Sequence, residues 1–164
     1  MPFNLLLANH LHHGTSFNES GVSVSIKPGR DETFLFFHLD SDENRQQFNQ
    51  YLGIANTGEP ICDLLIYYFK HTHNEPEKAI CLVELKGRDV SHGVKQLLNT
   101  YNIFNTKLAG ARLFQNVKWG AVIINHSKSP TPKNTKRLLT PLGDKGLKCG
   151  IMRKGLETFI RSLK

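Results

Sequence analysis

Two β-prone apolar segments joined by a short polar stretch constrain the fold of this chain more than any other feature. Residues 61–69 and 79–85 are dominated by Ile, Leu, Val and aromatic side chains, which is typical of buried strands. The stretch between them, residues 71–77, has the polar composition of a hairpin connection. A hairpin that is symmetric about this connection pairs residues whose numbers sum to 147, so that Asp63 lies opposite Glu84.

This register predicts a cluster of charged groups on one face of a sheet. Residues directly opposite each other in an antiparallel pair have Cβ atoms about 4.5–5.5 Å apart. The carboxylates of Asp63 and Glu84 would repel each other at that distance, and a divalent cation with oxygen ligands would compensate for the repulsion. Because side chains alternate along a strand, Lys86 lies on the same face as Glu84. A slip of one residue would separate the three groups.

The remaining sequence predicts an α/β fold, with a mixed β-sheet core flanked by helices, in a single domain over residues 1–164. Alternating apolar residues indicate strands, and apolar residues at steps of three and four indicate helices. Pro130, Pro132 and Pro141 prevent one long helix near the C-terminal end. Besides the hairpin, the predicted elements are strands at 21–27 and 33–39, a short helix from Asp40 towards Leu52, a helix at 89–104, strands at 119–125 and 147–152, and a closing helix at 156–163.

The order of Asp63 followed by Glu84-Leu85-Lys86 resembles the PD-(D/E)XK nuclease superfamily, which has the restriction-endonuclease-like fold. The resemblance covers roughly residues 61–125, from the stretch ICDLLIYY through CLVELKGRDVSHGVKQLLNT to the strand that follows the helix. It implies a metal-dependent nuclease that hydrolyses phosphodiester bonds in DNA, with a metal-activated water as the nucleophile.

The resemblance also implies a role for each residue of the pattern. Asp63, Glu84 and the backbone carbonyl of Leu85 would bind Mg²⁺ or Mn²⁺. Lys86 would orient or help to activate the attacking water, and it would stabilise negative charge on the phosphate. Gln96, on the helix that follows, matches a polar position that members of the family often use near the site.

Other family features fit the chain less closely. Members often carry a further glutamate on a helix before the first core strand, for which Glu43 is the best candidate by position and Glu59 the second. Cys62 stands where the family pattern has a proline before the aspartate. Tyr101 lies five residues after Gln96 rather than four, so the motif of the exonuclease branch is not met.

The positive charge of the chain is concentrated near its C-terminal end. The net charge is +7, yet residues 1–127 hold 11 Lys and Arg against 12 Asp and Glu, whereas residues 128–164 hold 10 against two. Because a basic surface neutralises phosphates, we expect this segment to hold the backbone of DNA, or of RNA as an alternative. The residues predicted to contact nucleic acid are Lys128, Lys133, Lys136, Arg137, Lys148, Arg153 and Lys154.

Several other classes of protein find no support in the sequence. The longest apolar run, residues 64–69, is far shorter than the ~20 residues needed to cross a bilayer, and no signal peptide opens the chain. We therefore expect a cytoplasmic protein without membrane contact. Three widely spaced cysteines argue against a disulfide scaffold and a zinc knuckle. Phosphate-binding loops and serine nucleophile elbows of the usual sequence are absent.

Three alternatives to a general DNA nuclease stay open at this stage. The first is a non-catalytic nucleic-acid-binding module on the same fold. The second is a structure-specific endonuclease of the Holliday-junction type, within the same superfamily. The third is a protein-interaction domain whose basic segment only keeps it in solution. A nuclease that cuts both strands of a duplex needs two sites, which would favour a homodimer.

Overall fold

The structure is a computed structural model that describes residues 10–41, 58–86, 89–108, 116–125 and 135–163. Within those ranges the chain forms eight strands and three α-helices. The strands are β1 (Leu11–His12), β2 (Ser16–Glu19), β3 (Val22–Ser25), β4 (Glu32–His38), β5 (Leu64–Lys70), β6 (Glu77–Lys86), β7 (Lys118–Asn125) and β8 (Lys148–Met152). The helices are α1 (Val90–Leu108), α2 (Thr135–Gly143) and α3 (Leu156–Arg161).

Six of the strands form one mixed sheet in the order β1-β4-β5-β6-β7-β8. The pairs from β1 to β6 are antiparallel, whereas β7 runs parallel to both β6 and β8. Helix α1 connects β6 to β7, and α2 lies between β7 and β8. Each helix is part of the crossover connection that two adjacent parallel strands need. The α/β class and the mixed sheet flanked by helices are therefore confirmed.

The hairpin of β5 and β6 has the predicted register. Leu64 pairs with Val83 and Lys70 pairs with Glu77, so the paired residue numbers sum to 147. Strand β6 is the centre of the sheet and is almost wholly buried. Burial on both faces explains why its sequence is a nearly continuous apolar run rather than an alternation of apolar and polar residues.

The two faces of the sheet are covered by different elements. Helices α1 and α2 pack on one face, where Ile80 and Leu82 of β6 contribute to the core. Helix α3 and the separate hairpin of β2 and β3 pack on the other face, together with Cys81 and Val83. Residues 80 to 83 thus alternate between the two cores, and the α1 face is also the face of Glu84. No helix within the described ranges is long and apolar enough to cross a membrane.

The sequence did not predict every element. Strands β1 and β2 lie in a mainly polar stretch, and the turn between β2 and β3 uses Ser20 and Gly21, both with positive φ (51° and 77°). That geometry is typical of two-residue hairpin turns, so the Ser-Gly pair was the overlooked signal.

Helix α2 was also missed, because its nine residues include Pro141. The helix predicted from Asp40 towards Leu52 falls mostly outside the described residues.

The predicted strand at 61–69 begins later than expected, at Leu64. The backbone groups before it bond to side chains and loops instead of a neighbouring strand. The N–H of Cys62 donates to Thr100 Oγ1 (2.9 Å), and the carbonyl of Asp63 accepts from the N–H of Leu39 (2.8 Å). These bonds leave Asp63 just outside the ladder, at the open end of the β5–β6 hairpin.

Candidate functional site

Asp63 and Glu84 are brought together by reciprocal hydrogen bonds between side chain and backbone. The N–H of Asp63 donates to Glu84 Oε2 at 3.2 Å, and the N–H of Leu85 donates to Asp63 Oδ2 at 2.6 Å. Both acids are buried, with exposed fractions of 5% for Asp63 and 0% for Glu84. The open end of the hairpin is therefore closed by two carboxylates, at the place where the register predicts them.

Lys86 completes the predicted cluster. Its Nζ lies 2.7 Å from Glu84 Oε1, and about a quarter of its side chain is exposed (24%). The Lys86 side chain thus contacts a wholly buried carboxylate and is itself partly exposed to solvent. A cation in this place neutralises part of the buried charge, and it is within reach of an anion that approaches from outside.

Helix α1 packs on this cluster through a glycine. A Cβ added to Gly93 would lie 3.3 Å from Glu84 Cγ, 3.4 Å from Lys86 Cγ and 3.2 Å from Ile123 Cδ1. These distances are tighter than ordinary contacts, so a larger residue would press on both charged side chains. The absence of a side chain at Gly93 lets the first turns of α1 cover the cluster closely.

Burial sets the protonation of the two acids. Burial raises the pKa of Glu84 to about 8, with the charge of Asp63 as the next cause and Lys86 opposing. Burial also raises the pKa of Asp63 to about 6, although the N–H of Leu85 opposes the rise. Burial by itself would lower the pKa of Lys86, but its contact with Glu84 raises it above its ordinary value. A cation bound beside the two acids would favour their charged forms.

Three further titratable residues face the cluster and were missed by the sequence analysis. They are Glu19 at the end of β2, His38 at the end of β4, and Asp40 two residues later. His38 Nε2 lies 3.5 Å from Glu19 Oε2. The charges of Glu19 and Asp40 both act to raise the pKa of Asp63. Asp40 comes close because β4 pairs with β5: its last residue, His38, pairs with Leu64, and the N–H of Leu39 donates to the carbonyl of Asp63.

The donor set fits a hard divalent cation. Asp63 and Glu84 supply carboxylate oxygens, and the carbonyl of Leu85, the residue directly after Glu84, is the third oxygen of the predicted set. Within the described part of the chain, no three His, Cys, Asp or Glu side chains form a complete protein ligand set. Mg²⁺ commonly takes only one or two carboxylates and fills its remaining positions with water and substrate phosphate. The buried, oxygen-only pair is suited to Mg²⁺ or Mn²⁺ on those terms.

Gln96 lies beside the cluster as a buried backbone anchor. Its Nε2 donates to the carbonyl of Ile61 at 2.8 Å, and only 4% of the residue is exposed. Thr100, one turn later, donates to the carbonyl of Gln96 and accepts from the N–H of Cys62. Together Gln96 and Thr100 hold the two residues that lead into Asp63.

Of the two candidates for a further acidic ligand, the structure describes only Glu59. Glu59 Oε2 lies 3.5 Å from Asn99 Nδ2, beside the middle of α1. Glu43 lies outside the described residues. Neither finding assigns a ligand, whereas Glu19 and Asp40 are further acids whose charges raise the pKa of Asp63.

The residues predicted to bind nucleic acid divide into separate groups. Lys136 and Arg137 are exposed on α2, and Arg153 and Lys154 are exposed after β8 on the other face of the sheet. Lys148 begins β8, where its Nζ donates to the carbonyl and hydroxyl oxygens of Ser162 (3.0 and 2.9 Å). Lys128 and Lys133 lie outside the described residues.

Compared with known protein families and with curated proteins, the chain matches none.

Proposed function

We propose that this protein is a metal-dependent nuclease of the PD-(D/E)XK type that hydrolyses phosphodiester bonds in DNA. The observation that carries the proposal is the convergence of Asp63, Glu84 and Lys86 at the open end of one hairpin. The two acids are buried and the lysine is partly exposed, as a site for a cation beneath an anionic substrate requires. The restriction-endonuclease-like fold is part of the same proposal.

The chemistry divides between the two acids and the lysine. Asp63 and Glu84 would hold Mg²⁺ or Mn²⁺, which supplies Lewis-acid activation of water and neutralises charge on the phosphate. The partly exposed ammonium group of Lys86 would contact the same phosphate and would stabilise the negative charge that develops during displacement. Gln96 keeps the backbone before Asp63 in place through the carbonyl of Ile61.

A non-catalytic nucleic-acid-binding module is the alternative on the same fold. Such a module would use the exposed basic residues of α2 and of the β8–α3 turn. A module that only binds nucleic acid has no use for two buried carboxylates, each of which raises the free-energy cost of ionising the other. We therefore prefer the nuclease, with a structure-specific endonuclease as a subclass that the same site would serve.

The test is cleavage of plasmid and linear DNA with Mg²⁺ or Mn²⁺, with an EDTA control. Lys86→Ala and Asp63→Asn should lose cleavage, whereas Lys107→Ala, in the last turn of α1, should retain it. Cleavage that persists in both site variants would contradict the proposal. No cleavage of DNA, RNA or branched duplexes by the wild-type protein, with binding intact, would favour the binding module.

A further inference from the structure

Two cavities, each with two basic residues in a mainly apolar lining, lie on opposite faces of the sheet. The first, of about 470 Å³, lies between the start of α1 and α2, and Lys95 and Arg137 are among its lining residues. The second, of about 510 Å³, lies against β3, β7 and the turn before α3, and its lining includes Arg153 and Lys154. All four basic residues are exposed.

Both cavities are at the end of the sheet where Lys86 lies. Strands β6, β7 and β8 are parallel, and Leu85 pairs with Ile124, which in turn pairs with Met152. Arg153 and Lys154 therefore leave β8 at the edge where Lys86 leaves β6. On the other face, Lys95 lies within one turn of Gly93, the residue that packs against Glu84 and Lys86.

The spacing matches a nucleic-acid backbone. Strands β6 and β8 are two strand spacings apart, about 10 Å, and one strand of duplex DNA advances about 3.4 Å per nucleotide. Because 3.4 Å is the rise along the duplex axis, the gap between Lys86 and the second cavity spans at most about three nucleotides. Ser91 and Lys95 line the first cavity, and Ser23, Ser25 and Arg153 line the second, so both offer hydroxyl and cationic groups suited to phosphate oxygens.

We infer that one nucleic-acid strand crosses the edge of the sheet, with one phosphodiester held by the two exposed basic residues of each cavity and the reacting phosphate between them at Lys86. The inference rests on the proposed function only for the middle phosphate. The two flanking contacts would exist whether or not the protein cleaves its substrate. Lys148 takes no part, because it begins β8 and therefore lies about 16 Å from this edge.

The test measures binding without cleavage. Anisotropy of a labelled 30-base-pair duplex in EDTA, over a series of salt concentrations, gives both the affinity and its salt slope for each variant. The site variants are Lys95→Ala with Arg137→Ala, and Arg153→Ala with Lys154→Ala. The matched control, Lys107→Ala with Lys118→Ala, removes the same charge from the opposite end of the sheet.

Each site pair should weaken binding about tenfold or more and lower the magnitude of the salt slope by about 0.9, since the two basic residues of each cavity neutralise one phosphate. The control pair should change affinity by less than about twofold. Equal losses in all three double variants would overturn the inference, because diffuse charge would then explain the binding. A loss confined to one cavity would also overturn it. Failure of Mg²⁺-dependent cleavage with these binding results intact would count against the nuclease alone.

Discussion

The backbone N–H of Leu85 donates a 2.6 Å hydrogen bond to Asp63 Oδ2 at the point where the ladder between β5 and β6 ends. The Leu85 side chain packs into the core on the α3 face, so its backbone alone faces Asp63. One carboxylate oxygen of Asp63 is thereby a structural acceptor. Substitutions of Asp63 must therefore be judged on both stability and catalysis.

Asparagine and alanine at position 63 should have different effects. Asp63→Asn keeps an acceptor for Leu85 and removes a buried charge beside Glu84, so the protein should be at least as stable as the wild type at pH 8. Asp63→Ala leaves the buried N–H unsatisfied and should lower the free energy of unfolding by about 1–3 kcal/mol. Both variants should lose metal-dependent cleavage. Urea unfolding and plasmid assays test this, and wild-type cleavage by Asp63→Asn would refute the assigned role.

The stability of the metal-free protein should fall as the pH rises from 5 to 8. Burial raises the pKa of Glu84 from 4.5 to about 8 and that of Asp63 from 3.8 to about 6. The folded state therefore binds these protons more tightly than the unfolded chain does, and their stabilising contribution is lost as pH rises through the folded pKa values. We expect a decrease of at most about 5 kcal/mol, most of it from Glu84, measured by urea unfolding in EDTA.

Two variants test the origin of that slope. Glu84→Gln should remove most of the pH dependence of the free energy of unfolding between pH 5 and 8. Glu32 provides the opposite case, because its hydrogen bond from Arg161 lowers its pKa to about 2. Its contribution is fully present above about pH 4.5 and is lost only towards pH 2, so Glu32→Gln should lower stability equally at pH 5 and pH 8. An unchanged slope in Glu84→Gln would disprove the assignment.

A divalent cation should offset part of the loss of stability at pH 8. At one hundred times its dissociation constant, a ligand that binds only the folded state adds about 2.7 kcal/mol to the free energy of unfolding. Mg²⁺ or Mn²⁺ should also displace about one proton near pH 7, since Glu84 must ionise on binding. Calorimetry in buffers of different ionisation enthalpy measures this release. Neither effect should occur in Glu84→Gln, and sodium at equal ionic strength serves as the control.

The central hairpin was predictable because two long apolar strands share one short connection. That arrangement leaves few registers, and burial of both faces of β6 selects the one that pairs Leu64 with Val83. The hairpin of β2 and β3 was less visible, because only Phe17, Val22 and Val24 of its eight strand residues are buried hydrophobics. Helix α2 was hidden by Pro141, which propensity alone assigns to a break.

The site was predictable only as far as a single hairpin could define it. Asp63, Glu84 and Lys86 follow from one register and one alternation of faces. Glu19 and Asp40 come from other elements, and they approach Asp63 only because the β2–β3 hairpin packs on the sheet and β4 pairs with β5. Lys95 and Arg137 likewise line one cavity only because α1 packs against α2, a contact that no local sequence pattern predicts.

Gln96 should act as a positioning residue rather than a metal ligand. Gln96→Met keeps a similar shape but leaves the carbonyl of Ile61 without its buried donor, which should lower the free energy of unfolding by about 1–3 kcal/mol. Mn²⁺ affinity, measured by calorimetry, should fall far less than in Asp63→Asn. A loss of Mn²⁺ binding as complete as that in Asp63→Asn would instead make Gln96 part of the ligand set.

Gly93 should tolerate no branched side chain, because its neighbours are the two charged residues of the site. Gly93→Val would place methyl groups against Glu84 and Lys86, where even a Cβ would lie 3.3 and 3.4 Å from their Cγ atoms. Overpacking of this kind should lower the free energy of unfolding by about 1–3 kcal/mol and reduce cleavage as well. Gly143→Val is the matched control, since an added Cβ there meets nothing within 4 Å. Equal effects of the two substitutions on stability and cleavage would show that contact with Glu84 and Lys86 is not what makes glycine necessary at position 93.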